Sequence, residues 1–130
     1  MISKEQKRSN FVLNELTRLE QSQPIDKEFA NFIVGTPTMI LENGFAQTMA
    51  FLLSKCNENK KRILGNKHYF TFLTIAGWSH EINNHIPTDP RAFFSAVSNL
   101  DQRDYLTIQE EALKMLQWLK RYARAFQRGE

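Results

Sequence analysis

The chain has 130 residues, of which 42% are hydrophobic and 24% charged, proportions that are ordinary for a globular protein and exclude an intrinsically disordered chain. This length suits one compact domain with its own core, so we predict a single domain over residues 1–130. The net charge of +3 is too small to indicate nucleic-acid binding by itself, and the longest apolar run, residues 49–53, falls far short of the ~20 residues that span a bilayer.

The first third of the chain predicts two helices separated by Pro24. Ser3 and Gln6 match a capping box, in which two residues three apart satisfy each other's backbone N–H groups. Apolar residues then recur at helical spacing, which predicts a first helix from Lys4 to about Gln21. After Pro24 the apolar residues return at spacings of four, three and one, which predicts a short second helix ending near Gly35.

The segment from Pro37 to Lys55 predicts a buried central helix. Thr36 can cap it, and Pro37 can occupy its first position, where the missing N–H costs nothing. Apolar side chains in this segment cover nearly the whole circumference at 100° per residue, a pattern typical of a helix buried on all sides. We place Gly44 inside this helix, where it would let a neighbouring backbone approach closely. Six side chains are expected in the core: Met39, Leu41, Phe45, Met49, Leu52 and Leu53.

Three further segments complete the predicted bundle. Polar and turn-forming residues between Cys56 and Lys67 predict a loop, and the aromatic and aliphatic residues that follow predict a helix from Lys67 to about Asn83. A strand over Tyr69 to Ile75 is the less favoured alternative, because that stretch is rich in β-formers. A break containing two prolines precedes a short helix over residues 91–98.

The last predicted helix begins at a second capping box. Thr107 and Glu110 have the required spacing, so we predict a helix from Ile108 to about Gln127. No segment alternates with period two for long. The expected fold class is therefore all-α, a compact single-domain helical bundle of about five to six helices with a buried central helix.

No group of residues points to catalysis or to a metal or cofactor site. His80 and His85 are five residues apart, which places them about 140° apart on a helix, whereas zinc binding needs the four-residue spacing. Cys56 has no histidine beside it in the sequence, and the five glycines never cluster into a phosphate-binding loop. We therefore expect no catalytic residues, no metal, no cofactor and no enzymatic activity, although folding could still assemble distant groups.

Charge is polarised along the chain, and the last helix gives the clearest positive signal. Residues 55–67 hold five basic residues and one acidic, whereas residues 81–111 hold six acidic and two basic. In the last helix the spacings of three and four place the basic residues on one stripe, opposite an apolar stripe of Ala112, Leu116, Leu119, Ala123 and Phe126. A one-signed face with three arginines suits phosphate contacts, although a solvated surface explains the pattern about equally well. Candidate RNA-binding residues are Lys114, Lys120, Arg121, Arg124 and Arg128, with Lys60, Lys61 and Arg62 from the basic loop.

Two motifs add a resemblance to a known family. The segment Pro37 to Leu52, with its asparagine, glycine, glutamine and alanine-phenylalanine positions, and the segment Leu116 to Ala123 resemble the small subunit of the Cmr complex. That complex is the type III-B CRISPR effector, in which a guide RNA directs the recognition and cutting of target RNA. Phe45 stands where the family pattern has leucine, and this changes local packing only.

The resemblance implies a helical, non-catalytic subunit that acts in antiviral defence. Its implied partners are the other Cmr subunits, the guide and target RNA, and further copies of itself stacked along them. Lys120 and Arg121 lie within the matched motif, while the other basic residues follow from the stripe alone. A protein-protein helical adaptor that makes no RNA contact is the alternative function.

The expected location is the cytoplasm. The charged residues 1–8 are followed by no apolar stretch of the kind that a secretory signal carries, and a single cysteine suits a reducing compartment.

Overall fold

The computed structural model describes residues 1–58 and 62–129, which form six α-helices and no strand. They are α1 (Lys4–Glu20), α2 (Lys27–Asn43), α3 (Phe45–Glu58), α4 (Lys67–Ile82), α5 (Pro90–Ser98) and α6 (Gln102–Phe126). The all-α class is confirmed. The strand alternative for Tyr69 to Ile75 is wrong, because that stretch lies inside α4, whose N-cap Asn66 accepts from the backbone N–H of Tyr69.

One hydrophobic core joins the six helices, and α6 packs against α1, α2 and α4. Each helix contributes at least one large side chain that is almost fully buried, including Leu16, Ile33, Met49, Ile75, Phe93 and Leu116. The predicted capping box of α1 is confirmed, since Ser3 and Gln6 exchange both hydrogen bonds at 2.8 and 3.1 Å. The first helix therefore begins as the sequence predicts.

The predicted boundary between the second and third helices is wrong. The chain continues as one helix through Gly35 and Pro37 and breaks instead at Gly44, whose φ is +88° and ψ is +162°. The Gly44 N–H donates to the Ile40 carbonyl at 2.8 Å, which ends α2, and the Gly44 carbonyl accepts from Thr48 at 3.1 Å, which begins α3. Glycine adopts this backbone conformation readily, whereas a side chain would be strained there.

Pro37 is accommodated inside α2. Having no N–H, it cannot donate to the carbonyl of Ile33, the usual partner four residues earlier. The hydroxyl of Thr36 donates to the Phe32 carbonyl at 3.1 Å, and both Thr36 and Pro37 are buried in the core. Tertiary packing thus holds the helix together across a residue that normally interrupts one.

Separate helices explain why the central segment is apolar on all sides. Before the break, Ile33, Thr36 and Ile40 face the core, and after it Phe45, Met49 and Leu52 do so. Each helix buries one stripe, and the two stripes fall on opposite sides of the circle when they are projected on a single axis, so the segment looks apolar on both sides. The burial of Phe45, Met49 and Leu52 is confirmed, and Met39 and Leu53 are partly buried. The prediction for Leu41 is wrong, because its side chain is 71% exposed.

The start of α6 also differs from the prediction. The helix begins at Gln102, six residues before the predicted start, because Asp101 is the N-cap and accepts from the backbone N–H of Asp104 at 2.8 Å. The added turns contribute to tertiary structure, since the Tyr105 hydroxyl accepts from the Ala46 N–H at 2.9 Å and the Gln109 side chain accepts from the Phe45 N–H at 3.1 Å. The first N–H groups of α3 are thus satisfied by side chains from α6.

The end of the third helix needs a smaller correction. We predict a loop from Cys56, but α3 continues to Glu58, and the Cys56 thiol donates to the Leu52 carbonyl inside the helix at 3.2 Å. The predicted helices after the loop agree with α4 and α5 within one residue at each end.

Replacing Gly44 with alanine is expected to lower the free energy of unfolding by roughly 1 to 3 kcal/mol, because the positive φ strains any side chain. No atom lies within 4 Å of the position where a Cβ would stand, so the cost comes from the backbone and not from a clash. Chemical denaturation with urea measures the change. Gly35→Ala is the control, since Gly35 lies within α2 with the same open space, and it should be neutral or stabilising.

Candidate nucleic-acid interface

The outer face of α6 carries the predicted basic stripe. Lys114, Arg121, Arg124 and Arg128 are exposed, and Lys120 lies half-buried at the edge of the face. From Ala112 to Gly129 the chain contains no acidic residue. Within residues 1–58 and 62–129, none of the five basic side chains forms a salt bridge with a carboxylate. Their charges are therefore available to an anionic partner.

Two contacts fix the end of the stripe to α2 and to the loop before it. The guanidinium of Arg124 donates to the side-chain oxygen of Asn31 at 2.7 Å and to that of Gln127 at 3.1 Å. The backbone N–H of Arg128 donates to the Ile25 carbonyl at 2.7 Å. These bonds orient the last turn of α6 and leave both guanidinium groups at the surface.

Three aromatic rings run along α6 between the stripe and α1. Trp118 and Tyr122 have their ring centroids 5.6 Å apart, and Tyr122 stacks on Phe126 at 5.7 Å with an angle of 10° between the planes. Trp118 donates to Glu5 at 2.8 Å, and the Tyr122 hydroxyl bonds to that of Ser9 at 2.7 Å. Trp118 and Tyr122 therefore connect α1 with α6. The core stripe is confirmed except for Phe126, the last residue of α6, which is 39% exposed.

A buried ion pair between α1 and α6 holds in place the helix that carries the stripe. Glu111 and Arg8 are each 5% exposed, and their side chains form two hydrogen bonds of 2.9 and 3.1 Å. The same carboxylate accepts from the indole N–H of Trp78 at 3.3 Å and lies 3.4 Å from the exposed ammonium of Lys4. This network joins α1, α4 and α6.

The pKa of Glu111 reflects these partners. Burial by itself raises the pKa of the carboxyl, but the hydrogen bond and charge of Arg8, with smaller effects of Trp78 and Lys4, bring it below its usual value of 4.5. The carboxylate therefore stays ionised and acts as a structural anion. The sequence contains a signal for this pair that the prediction does not use. Arg8 is a charged residue on the apolar stripe of α1, which continues with Val12, Leu16 and Leu19, and Glu111 is a charged residue on the apolar stripe of α6.

The basic loop is only partly within the described residues. Lys60 and Lys61 lie outside them, so the prediction for these two lysines stays a prediction. Arg62 is exposed and lines a groove between the end of α3 and the start of α5, together with Asp89 and Arg91. The structure therefore places Arg62 apart from the α6 stripe.

The candidate reactive residues His80, His85 and Cys56 form hydrogen bonds within the fold. His80 Nδ1 bonds to the Ile86 carbonyl at 2.8 Å, and His85 lies exposed beyond the end of α4. Burial raises the pKa of the fully buried Cys56 thiol, against the opposing charge of Arg62. Across the part of the chain that the structure describes, no three histidine, cysteine, aspartate or glutamate residues come together as a metal site. Nor does any described helix combine the length and apolar character needed to cross a bilayer.

Comparison with known families identifies the chain. Residues 4–126 match the model of the family described as CRISPR-associated protein (Cas_Cmr5), which leaves only the two ends of the chain unmatched. The match includes α1 to α6 entirely, and with them both motifs that carried the resemblance and the whole stripe up to Arg124. The chain therefore belongs to the Cas_Cmr5 family and is a small subunit of the type III-B CRISPR effector, the Cmr complex.

Proposed function

We propose that this subunit lines and stabilises the path of guide and target RNA in the Cmr complex and has no catalytic role. Its RNA contacts are made by Lys114, Lys120, Arg121, Arg124 and Arg128, and further copies of the subunit extend the same surface along the RNA. The complex acts in the cytoplasm, where its RNA partners are found. Membership of the Cas_Cmr5 family supports the place in the complex, and the basic stripe supports the RNA contact.

The observation that carries the proposal is the combination of exposure and unpaired charge on α6. Solvated helix faces usually mix charges of both signs, whereas this face carries only positive ones over about the last four turns of α6. The arginine fork matches phosphate oxygens, and phosphate contacts position RNA without reading its sequence. A subunit that must accept any guide sequence needs contacts of this kind.

The bonding of the two buried reactive groups, the Cys56 thiol and the Glu111 carboxylate, supports a role without catalysis. The Cys56 thiol is fully buried and donates to a carbonyl, so it is a poor nucleophile. The Glu111 carboxylate, whose pKa is lowered, is bound on both oxygens by the partners described above. Both groups hold the fold together.

The test replaces Lys114, Arg121, Arg124 and Arg128 with glutamine in the full chain. For four phosphate contacts on single-stranded RNA, the slope of log K against log salt should flatten by about 3, and affinity at 0.1 M salt should fall by roughly a hundredfold or more. The loss should be the same for RNAs of different sequence, because no base edge is read. Fluorescence anisotropy with labelled RNA over a salt series measures both quantities.

A matched control replaces four exposed basic residues elsewhere with glutamine: Lys7, Lys27, Arg91 and Arg103. This variant has the same net charge and should keep most of the affinity and of the salt slope. If the stripe variant folds, enters the complex and binds RNA as the unmodified chain does, the RNA role is wrong and the adaptor function replaces it.

A further inference from the structure

A groove of about 620 Å³ opens where α2 ends and α3 begins. Gly44 separates the two helices at this point, so residues from both contribute to the lining. The lining residues are Met39, Glu42, Asn43, Gln47, Thr48 and Phe51. They lie within the first of the two motifs that carry the family resemblance, yet neither the fold nor the α6 stripe explains the polar ones.

One of the lining residues, Thr48, has a buried hydroxyl without a partner among the described residues. Thr48 is 1% exposed, and its Oγ1 has no hydrogen bond among the described residues. Four other buried hydroxyls in helices each donate to the carbonyl four residues earlier, at 2.8 to 3.1 Å: those of Thr36, Thr71, Thr74 and Ser79. An unpaired buried hydroxyl is destabilising, and because Thr48 lines an open groove, a partner from outside the chain can supply the missing bond.

The rest of the lining suits a polypeptide. The amides of Asn43 and Gln47 are exposed and offer both donors and acceptors, as a peptide group requires. Half-buried Met39 and Phe51, which is 41% exposed, provide apolar walls for a side chain between them. Glu42 adds an exposed carboxylate that forms no salt bridge among the described residues.

Charge distinguishes between a protein occupant and RNA. The lining holds one carboxylate and no lysine or arginine, so no lining residue offers a cation to phosphate. The ammonium of Lys55 lies over the ring of Phe51, 5.6 Å from its centroid, and is not part of the lining. Arg124 of the stripe contacts α2 at Asn31, and Asn31 is separated from Glu42 by roughly 16 Å of helix rise. The groove and the stripe are therefore separate surfaces with opposite charge.

We propose that this groove is the docking site for a segment of another protein subunit of the Cmr complex. The segment inserts an apolar side chain between Met39 and Phe51, and its backbone bonds to the amides of Asn43 and Gln47. A polar atom of the segment pairs with the Thr48 hydroxyl, and a lysine or arginine beside the apolar side chain pairs with Glu42. This inference rests on the family membership and not on the proposed RNA contact.

The experiment measures the affinity of the full chain for the Cmr complex purified without this subunit. Thr48→Val keeps the shape and removes the hydroxyl, so docking should weaken by about fivefold to tenfold while stability is unchanged or slightly higher. Glu42→Lys reverses the charge and should weaken docking by roughly tenfold or more. The matched controls on exposed positions of α1, Thr17→Val and Glu20→Lys, should dock as the unmodified chain does.

Two further measurements on the same variants identify the occupant. Affinity for single-stranded RNA and self-association by sedimentation should be the same in each groove variant as in its matched control on α1. Unchanged docking of both variants would overturn the proposal. A loss of RNA affinity instead would make the groove a nucleotide pocket, and a loss of self-association instead would make its occupant a second copy. The variant that lacks the stripe charges tests RNA binding alone. If it disproves the RNA contact, the docking measurements on the groove variants can still be interpreted.

Discussion

Replacing Glu111 with leucine is expected to lower the free energy of unfolding by about 3 to 5 kcal/mol, because it leaves the buried Arg8 guanidinium without its main counter-charge. The second partner of Arg8, the exposed Glu5 at 3.7 Å, compensates little. The indole N–H of Trp78 also loses its acceptor. Urea denaturation followed by circular dichroism measures the change, which is large against the stability of a chain of this size.

A double variant separates the ion pair from general packing. Adding Arg8→Met to Glu111→Leu removes the uncompensated cation and should restore a substantial part of the lost stability. Lys4→Ala is the control, because the Lys4 side chain is 67% exposed and its loss should cost less than about 1 kcal/mol. A single variant as stable as the unmodified chain, or a double variant no better than the single, would contradict this account.

The same network predicts a dependence of stability on pH. A carboxyl whose pKa is lower in the folded state stabilises the fold above its unfolded pKa, and this contribution is lost as pH falls through the folded pKa. For Glu111 the loss begins near the ordinary value of 4.5 and continues below it. The difference in unfolding free energy between the unmodified chain and Glu111→Gln should therefore shrink as pH falls below 4.5. A difference that stays constant down to acid unfolding would show that Glu111 contributes no charge-dependent stability.

Assembly of several copies on one RNA is expected to raise affinity by about 10² to 10⁴-fold over the isolated chain, because later contacts become intramolecular. A single chain offers five basic residues, and with a slope near −3.5 its affinity should fall roughly a hundredfold between 50 and 200 mM salt. Binding of the lone subunit at physiological salt should accordingly be weak. Titrations of the isolated chain and of the assembled complex, with RNAs of increasing length, measure the gain.

The length series provides its own control. For an RNA long enough for only one subunit, the complex lacking the stripe charges should bind about a hundredfold more weakly than the unmodified complex, and the difference should grow with each added site. Sub-nanomolar binding by the lone chain at physiological salt would contradict the prediction. So would a gain that does not depend on RNA length.

Much of the fold could be predicted from local sequence signals, and the largest error arose where tertiary packing overrode them. Capping residues and periodicity located α1, α4 and α5, because these helices depend mainly on nearby residues. The break at Gly44 was missed because Pro37 is locally a stronger helix-start signal, and it was overridden by burial of Thr36 and Pro37 in the core. The sequence alone does not show that packing of the core places the helix break at Gly44 and not at Pro37.

The candidate site also has a part that local sequence signals predict and a part that depends on tertiary packing. The α6 stripe could be predicted, because its spacing is a property of one helix. The ion pair of Arg8 and Glu111 joins residues 103 positions apart, and the hydrogen bond between Arg124 and Asn31 joins residues 93 apart. Spacing within one helix can show that Arg8 and Glu111 each lie on an apolar stripe, but it does not show which residue of another helix is the partner.

The anchoring of α6 along its whole length has a consequence for the thermodynamics of RNA binding. Arginine-rich segments that fold only on RNA lose backbone freedom at the moment of association, and that loss weakens binding. Here the helix is packed against α1, α2 and α4 before any RNA arrives, and Arg128 is joined to Ile25 at its end. The ordering that remains is that of the lysine and arginine rotamers, about 0.5 to 1.5 kcal/mol for each side chain that becomes fixed. The surface is preorganised, so the weak affinity expected of one copy comes from its few charges and not from a conformational cost.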